Sequence, residues 1–207
     1  MYVMVRKYPR KGGLTDRLAP KVRDGLVPIL KRAAGFKGYC AFASEDGMAV
    51  GMNIFDDKAS ADAAKDPIRE WVASTLGDLL PDPPEAVSGQ VLLHALVHEQ
   101  EQRGGPEQAL YVVIRQYDGV QAIERMMALG QEQVVPLLRQ APGFRGLYAF
   151  GSDQDRDRVV SVTMFESREQ AMRAHEQVLA IMREKGREVA PDPPQVTAGR
   201  TFVLATA

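Results

Sequence analysis

The sequence predicts an α+β fold made of two tandem βαββαβ units, and three observations predict it. The chain repeats itself: Tyr111-Val-Val-Ile-Arg115-Gln-Tyr117 echoes Tyr2-Val-Met-Val-Arg6-Lys-Tyr8, Pro142-Gly-Phe-Arg-Gly146 echoes Ala34-Gly-Phe-Lys-Gly38, and Pro191-Asp-Pro-Pro-Gln195 echoes Pro81-Asp-Pro-Pro-Glu85. These matches share one register about 109 residues apart, too long for a solenoid repeat and long enough for a domain. Within each copy the hydrophobic pattern alternates between strand-like and helix-like stretches. Composition, 45% apolar and 26% charged, is that of an ordinary globular chain.

Tyr2 to Tyr8 alternates and is rich in β-formers. Gly12-Gly13 breaks it, and Thr15-Asp16 can cap a helix with apolar positions at Leu18, Val22, Leu26, Ile29 and Leu30. The second copy repeats that helix with Ile123, Met126, Met127, Val134, Leu137 and Leu138. Pro28 and Pro136 each remove a backbone donor, so both helices should bend about a turn earlier. Gly35 and Gly143 suit the left-handed conformation that ends a helix. Two hairpins follow, Gly38 to Ala43 with Met48 to Phe55, and Gly146 to Gly151 with Val159 to Phe165. Second helices run from about Lys58 to Leu80, with a restart at Asp66-Pro67, and from about Arg168 to Glu188. The Pro-Asp-Pro-Pro segments stop them, and last strands run from Ser88 to Val97 and from Ala198 to Thr206. The order is the split βαβ, or ferredoxin-like, plan with both helices on one face of each sheet. Boundaries fall at 1–97 and 109–207, with a polar Gly-Pro linker at 98–108. The bare sheet faces need cover, so the units are expected to pack sheet to sheet as an intramolecular pseudo-dimeric barrel.

A formal net charge of -1 gives no electrostatic reason to expect nucleic acid or an anionic membrane as partner. The N-terminus reads as a strand rather than a signal peptide, and no apolar run reaches membrane-spanning length, which points to the cytoplasm. Cys40 is the only cysteine, so no internal disulfide forms, and a plain buried thiol is expected. No phosphate-binding glycine loop, zinc-ligand spacing or nucleophile elbow occurs, and Asp153, Asp155 and Asp157 lack the glycine and distal glutamate of a calcium loop.

Val135-Pro-Leu-Leu-Arg-Gln-Ala-Pro-Gly-Phe-Arg-Gly-Leu-Tyr-Ala-Phe150, Val160-Ser-Val-Thr-Met-Phe165 and Pro191-Asp-Pro-Pro-Gln-Val-Thr-Ala-Gly199 resemble the dimeric α+β barrel superfamily, especially its antibiotic biosynthesis monooxygenase-like branch. The first unit carries weaker versions of all three. The resemblance covers nearly the whole chain and implies the fold; the superfamily spans cofactor-free oxygenases, haem-degrading enzymes and isomerases. Haem-degrading relatives resemble one another in a first-strand asparagine and a Trp and His on the second helix. Here Trp71 lies in one unit and His175 in the other.

Strand alternation separates Tyr2, Met4, Arg6 and Tyr8 from Val3 and Val5. With the aliphatic face on the helices, the Tyr-Arg-Tyr face points into the space between the sheets, joined by Gly51, Asn53, Gln90, Leu92 and His94. Tyr111, Arg115, Tyr117, Ser161, Thr163, Arg200 and Phe202 do the same in the second unit. Arg6 and Arg115 either hold an anionic or enolic oxygen or form rim salt bridges. His94 is a candidate general base, with Leu204 in its place in the other copy, or a histidine bonded near the barrel end. Trp71 and the methionines read as packing, and His175 as a residue on a solvated helix face. The expected function is a cofactor-independent monooxygenase acting on a small aromatic or enolic ligand through Arg6 and His94, with no metal or cofactor. The alternatives are a non-catalytic or stress-associated binding barrel, and haem binding. Two fused chains could pair again as a homodimer.

Overall fold

The computed structural model describes residues 1–9, 15–97 and 109–207. The expected linker at 98–108, with His98, and the Gly12-Gly13 break lie outside them. The first copy runs β1 (Tyr2–Tyr8), α1 (Thr15–Lys21), α2 (Val27–Arg32), β2 (Phe36–Ser44), β3 (Ala49–Phe55), α3 (Lys58–Leu76) and β4 (Glu85–Leu96). The second runs β5 (Tyr111–Tyr117), α4 (Ile123–Leu129), α5 (Val135–Gln140), β6 (Phe144–Gly151), β7 (Val159–Phe165), α6 (Arg168–Lys185) and β8 (Gln195–Thr206). This is βαββαβ twice.

The prolines act where the sequence says they should. A π-helical turn, Val22–Leu26 or Gly130–Val134, precedes each one, with Val27 N–H bonding Val22 O and Val135 N–H bonding Gly130 O. The wider turn absorbs the donor each proline lacks. Gly35 and Gly143 sit at φ 70° and 69°, the left-handed region, and turn each chain from helix into strand. Asp57 caps α3 by accepting from Ser60 N–H at 2.8 Å, and Ser167 caps α6 by accepting from Gln170 N–H at 3.3 Å. α3 runs through Pro67 without restarting and ends at Leu76.

In the first unit β1 pairs antiparallel with β3 and with the start of β4, and β3 with β2; in the second β5 pairs antiparallel with β7 and with the start of β8, and β6 with β7 and with the end of β4. The compact units do not end where the repeats end. One unit is Met1–Gln90 with Thr201–Ala207, and the other is Val91–Arg200. The reason is pairing: Glu85–Gln90 lies along β1, whereas Val91–Leu96 lies along β6. A bulge at Val91/Leu93 marks the change.

In the first unit Tyr2, Met4, Tyr39, Ala41 and Phe55 pack with Leu18, Leu26, Leu30, Ala61, Ala64 and Ile68 from the helices. In the second, Tyr111, Val113, Tyr117 and Leu147 pack with Met126, Leu138, Ala171, Ala174 and Val178. The expected orientation of the strand faces is therefore reversed: the Tyr-Arg-Tyr face meets its own unit's helices, and Val3 and Val5 are buried on the opposite face. The physical reason is size matching, since alanines at 61, 64, 171 and 174 leave room on each helix for bulky strand residues. Edge-to-face pairs Phe36–Phe55 and Phe144–Phe165, with centroids 6.0 and 5.6 Å apart, lock equivalent corners. Among the described residues no helix is long and apolar enough to cross a membrane.

Candidate functional site

The reversed face builds a site inside the first unit. Register places Arg6, Gly51 and Ala41 side by side on one rung, and Met4, Asn53 and Tyr39 on the next. Gly51 and the alanines at 41 and 49 give this patch of sheet almost no side-chain height. Above it stand Leu18, Val22 and Leu26 from the bent helix and Ile68, Val72 and Leu76 from α3. A cavity of about 50 Å³ remains between sheet and helices, edged by Arg6, Tyr8, Tyr39, Asn53 and Phe202.

Its polar groups are few and oddly partnered. The Arg6 side chain's one hydrogen bond among the described residues is a weak one, from Nη2 to Met4 Sδ at 3.8 Å. Burial lowers its pKa, while Tyr8 and Tyr39 pull it back up. Burial raises the pKa of Tyr8 against the opposing effect of Arg6, and burial raises that of Tyr39 well above the usual phenol range. Asn53 is buried, and its Oδ1 has no hydrogen-bond partner among the described residues. A guanidinium, two protonated phenols and an open amide oxygen thus converge on an apolar hollow, the general composition of a small-molecule site.

The same rungs recur in the second unit as Arg115–Ser161–Ala149 and Val113–Thr163–Leu147, with a different outcome. Arg115 is fully buried and donates from Nε to His175 Nδ1 at 2.9 Å and from Nη1 to Thr163 Oγ1 at 3.1 Å, while Nη2 is buried without a partner among the described residues. Burial lowers the Arg115 pKa to about 10, so it stays cationic at neutral pH. Burial and then Arg115 lower the His175 pKa to about 4. An imidazole accepting at Nδ1 carries its proton on Nε2, which leaves neither nitrogen free to ligate haem iron. His175 is buried, which corrects its expected place on a solvated face.

Of the expected site residues, Arg6, Tyr8 and Asn53 meet at the cavity, and Arg115 and Thr163 meet at His175. Tyr117 lies beside Arg115, and burial raises its pKa. Tyr2 is buried and donates to Ser88 Oγ at 3.0 Å, and Tyr111 is buried in the second core; neither lines the cavity. Gln90 and Arg200 are exposed. His94 is exposed too, opposite Tyr148 in the second unit, so it does not face the cavity. The bulge before Leu93 sets that alternation: Leu93 and Ala95 take the core positions, and His94 turns out. Phe202, assigned from the repeat to the second unit, lines the first unit's cavity because Thr201–Ala207 belongs there. Tyr39 escaped the sequence reading because it opens an apolar run; its pairing with Asn53 is the signal. Cys40 is buried with its thiol pKa pushed up to about 12, and register matches it to Tyr148 rather than Ala149. Among the described residues no group of three or more His, Cys, Asp and Glu could hold a metal ion.

Residues 121–180 match the family model "Antibiotic biosynthesis monooxygenase". No curated protein sequence matches the chain. Among solved structures, a proposed monooxygenase from Fusobacterium nucleatum subsp. nucleatum superposes with TM-score 0.75 at 8% identity, covering 99% of this chain and 94% of that one. A proposed monooxygenase from Lactobacillus acidophilus gives 0.69 at 10% identity, covering 99% and 95%. A chlorite dismutase mutant from Candidatus Nitrospira defluvii gives 0.59 at 12% identity, covering 97% and 90%. The chain therefore shares its α+β fold with these structures, with two ferredoxin-like units on one polypeptide and a segment in its second half that is similar to antibiotic biosynthesis monooxygenases.

Proposed function

We propose that this chain is a cofactor-independent monooxygenase of the antibiotic biosynthesis type, acting on a small aromatic or enolic compound held by the first unit. One observation carries the reading: Arg6 borders an apolar cavity without a carboxylate partner among the described residues. A phenolate or enolate beside it gains charge-assisted hydrogen bonds, which lowers the substrate's own pKa. Tyr8 and Tyr39 keep their protons at neutral pH and donate to the developing anion rather than accept from it. Asn53 Oδ1 accepts from a second hydroxyl. With His94 on the surface, the substrate proton leaves to water at the half-buried Arg6–Tyr8 edge. The anion supplies the electrons to oxygen, and a ring CH2 plus O2 becomes C=O plus H2O with no external reductant.

The test is oxygen uptake with a panel of quinols and anthrone-type phenols. Arg6→Met is expected to lower kcat/KM about 100-fold, the usual loss of one transition-state donor. Absence of uptake across the panel would falsify the catalytic reading. The non-catalytic alternative draws support from cavity size, because about 50 Å³ holds only a few waters and a ring must displace the Leu18–Val22–Leu26 wall. Binding with no oxygen consumption would establish that alternative.

A further inference from the structure

We infer that the second unit's copy of the site is closed by its own side chain: His175 is a built-in ligand of Arg115, and its place marks where Arg6 receives a planar acceptor ligand in the first unit. The inference rests on reading the Arg6 cavity as a ligand site. Strand register makes Arg6 and Asn53 the counterparts of Arg115 and Thr163. Helix register is equally firm. Counted from the caps Asp57 and Ser167, Ala61, Ala64 and Ile68 correspond to Ala171, Ala174 and Val178, all buried. The same count sets Lys65 against His175.

The two side chains do opposite things. His175 turns inward, flat, with its in-plane lone pair on Arg115 Nε. Lys65 turns out to Asp62 and is 42% exposed. Among the described residues Arg6 thus lacks the acceptor that Arg115 has, and the space beside it is open where Ile68 and Asn53 border the cavity. What fits is a small flat ring presenting an in-plane lone pair: an azole nitrogen, or a phenolate or enolate oxygen. Asn53, in place of Thr163, adds an unpartnered acceptor and so selects a ligand with a hydroxyl or N–H as well. One site per chain follows.

Imidazole is the direct probe. In the Arg6→Met chain it should leave Tm unchanged. In Arg6→Met/His175→Gly, Tm should fall and millimolar imidazole should restore it saturably, an effect that adding Arg115→Met removes. Equal rescue by benzene, which fills space without accepting, would overturn the acceptor assignment, and so would no rescue. Should the glycine variant not fold, titration of the wild-type chain with 4-nitrophenol decides. The expected result is one equivalent bound, with the phenolate absorbance band appearing at a pH below that of the free dye and lost in Arg6→Met. Two equivalents, or none, would refute the inference. Binding without oxygen uptake sinks the monooxygenase reading and leaves this one standing.

Discussion

Arg6 and Arg115 occupy the same rung of two sheets with the same register, beneath helices capped at equivalent positions by Asp57 and Ser167 and carrying the same proline-linked π turns. One guanidinium is half-buried at a cavity and the other is fully enclosed on an imidazole. The two units share a scaffold and differ in what surrounds the arginine. The separation is carried by few residues: Lys65 against His175 on the helix, Gly51 against Ser161 on the floor, Tyr39 against Leu147 beside it. A fold copied twice therefore does not imply a site copied twice.

The largest break in the comparison is His175→Ala. Removing the acceptor leaves Arg115 Nε buried without a partner beside an already unpartnered Nη2, and about 2–4 kcal/mol of stability should go. The counterpart Lys65→Ala deletes only a half-exposed ion pair with Asp62, and less than about 0.5 kcal/mol should follow. Urea denaturation of the two variants checks this. Equal losses would mean that the helix positions are not distinguished by their strand partners.

Acid should separate the halves next. His175 is held neutral in the folded state, with its pKa near 4 against 6.5 ordinarily, by burial first and then by Arg115. As pH falls below 6.5 the unfolded chain takes up this proton and the folded chain does not, so stability declines between pH 6.5 and 4 and is fully present above 6.5. His175→Gln keeps an acceptor for Arg115 but cannot titrate. Denaturation midpoints across that window should fall less steeply in the variant than in the parent; parallel slopes would remove His175 from the acid response.

Periodicity, caps and the repeat made the strand and helix order legible, together with the helix bends at Pro28 and Pro136. Which strand face meets the helices was not legible from strand residues alone. Tyr2, Met4, Arg6 and Tyr8 look like the face for a hollow until the alanines on α3 and α6 are read as the sockets for them. His94 failed for a different reason, since a one-residue bulge reverses every side chain beyond it and leaves no sequence mark. His175 failed because helical spacing shows where a residue lies on its helix and not that a buried guanidinium waits opposite. Arg6, Tyr8 and Asn53 lie together because they share one side of paired strands, a property that alternation does encode.

The smallest effect bears on the cavity floor. A Cβ on Gly51 would lie 3.4 Å from the Tyr39 hydroxyl, at the edge of ordinary contact, so Gly51→Ala fits without moving the sheet. The methyl also favours a strand by restricting the unfolded chain, so stability should change by less than about 1 kcal/mol. It occupies the space between Arg6 and Ala41 on their shared rung. Binding of 4-nitrophenol should therefore weaken about tenfold, equivalent to about 1.4 kcal/mol, with Arg6 itself untouched. Ser161→Ala, its counterpart beneath Arg115, should leave that affinity where it was. Calorimetric titration of both variants checks the pair, and an unchanged affinity in Gly51→Ala would move the ligand off this floor.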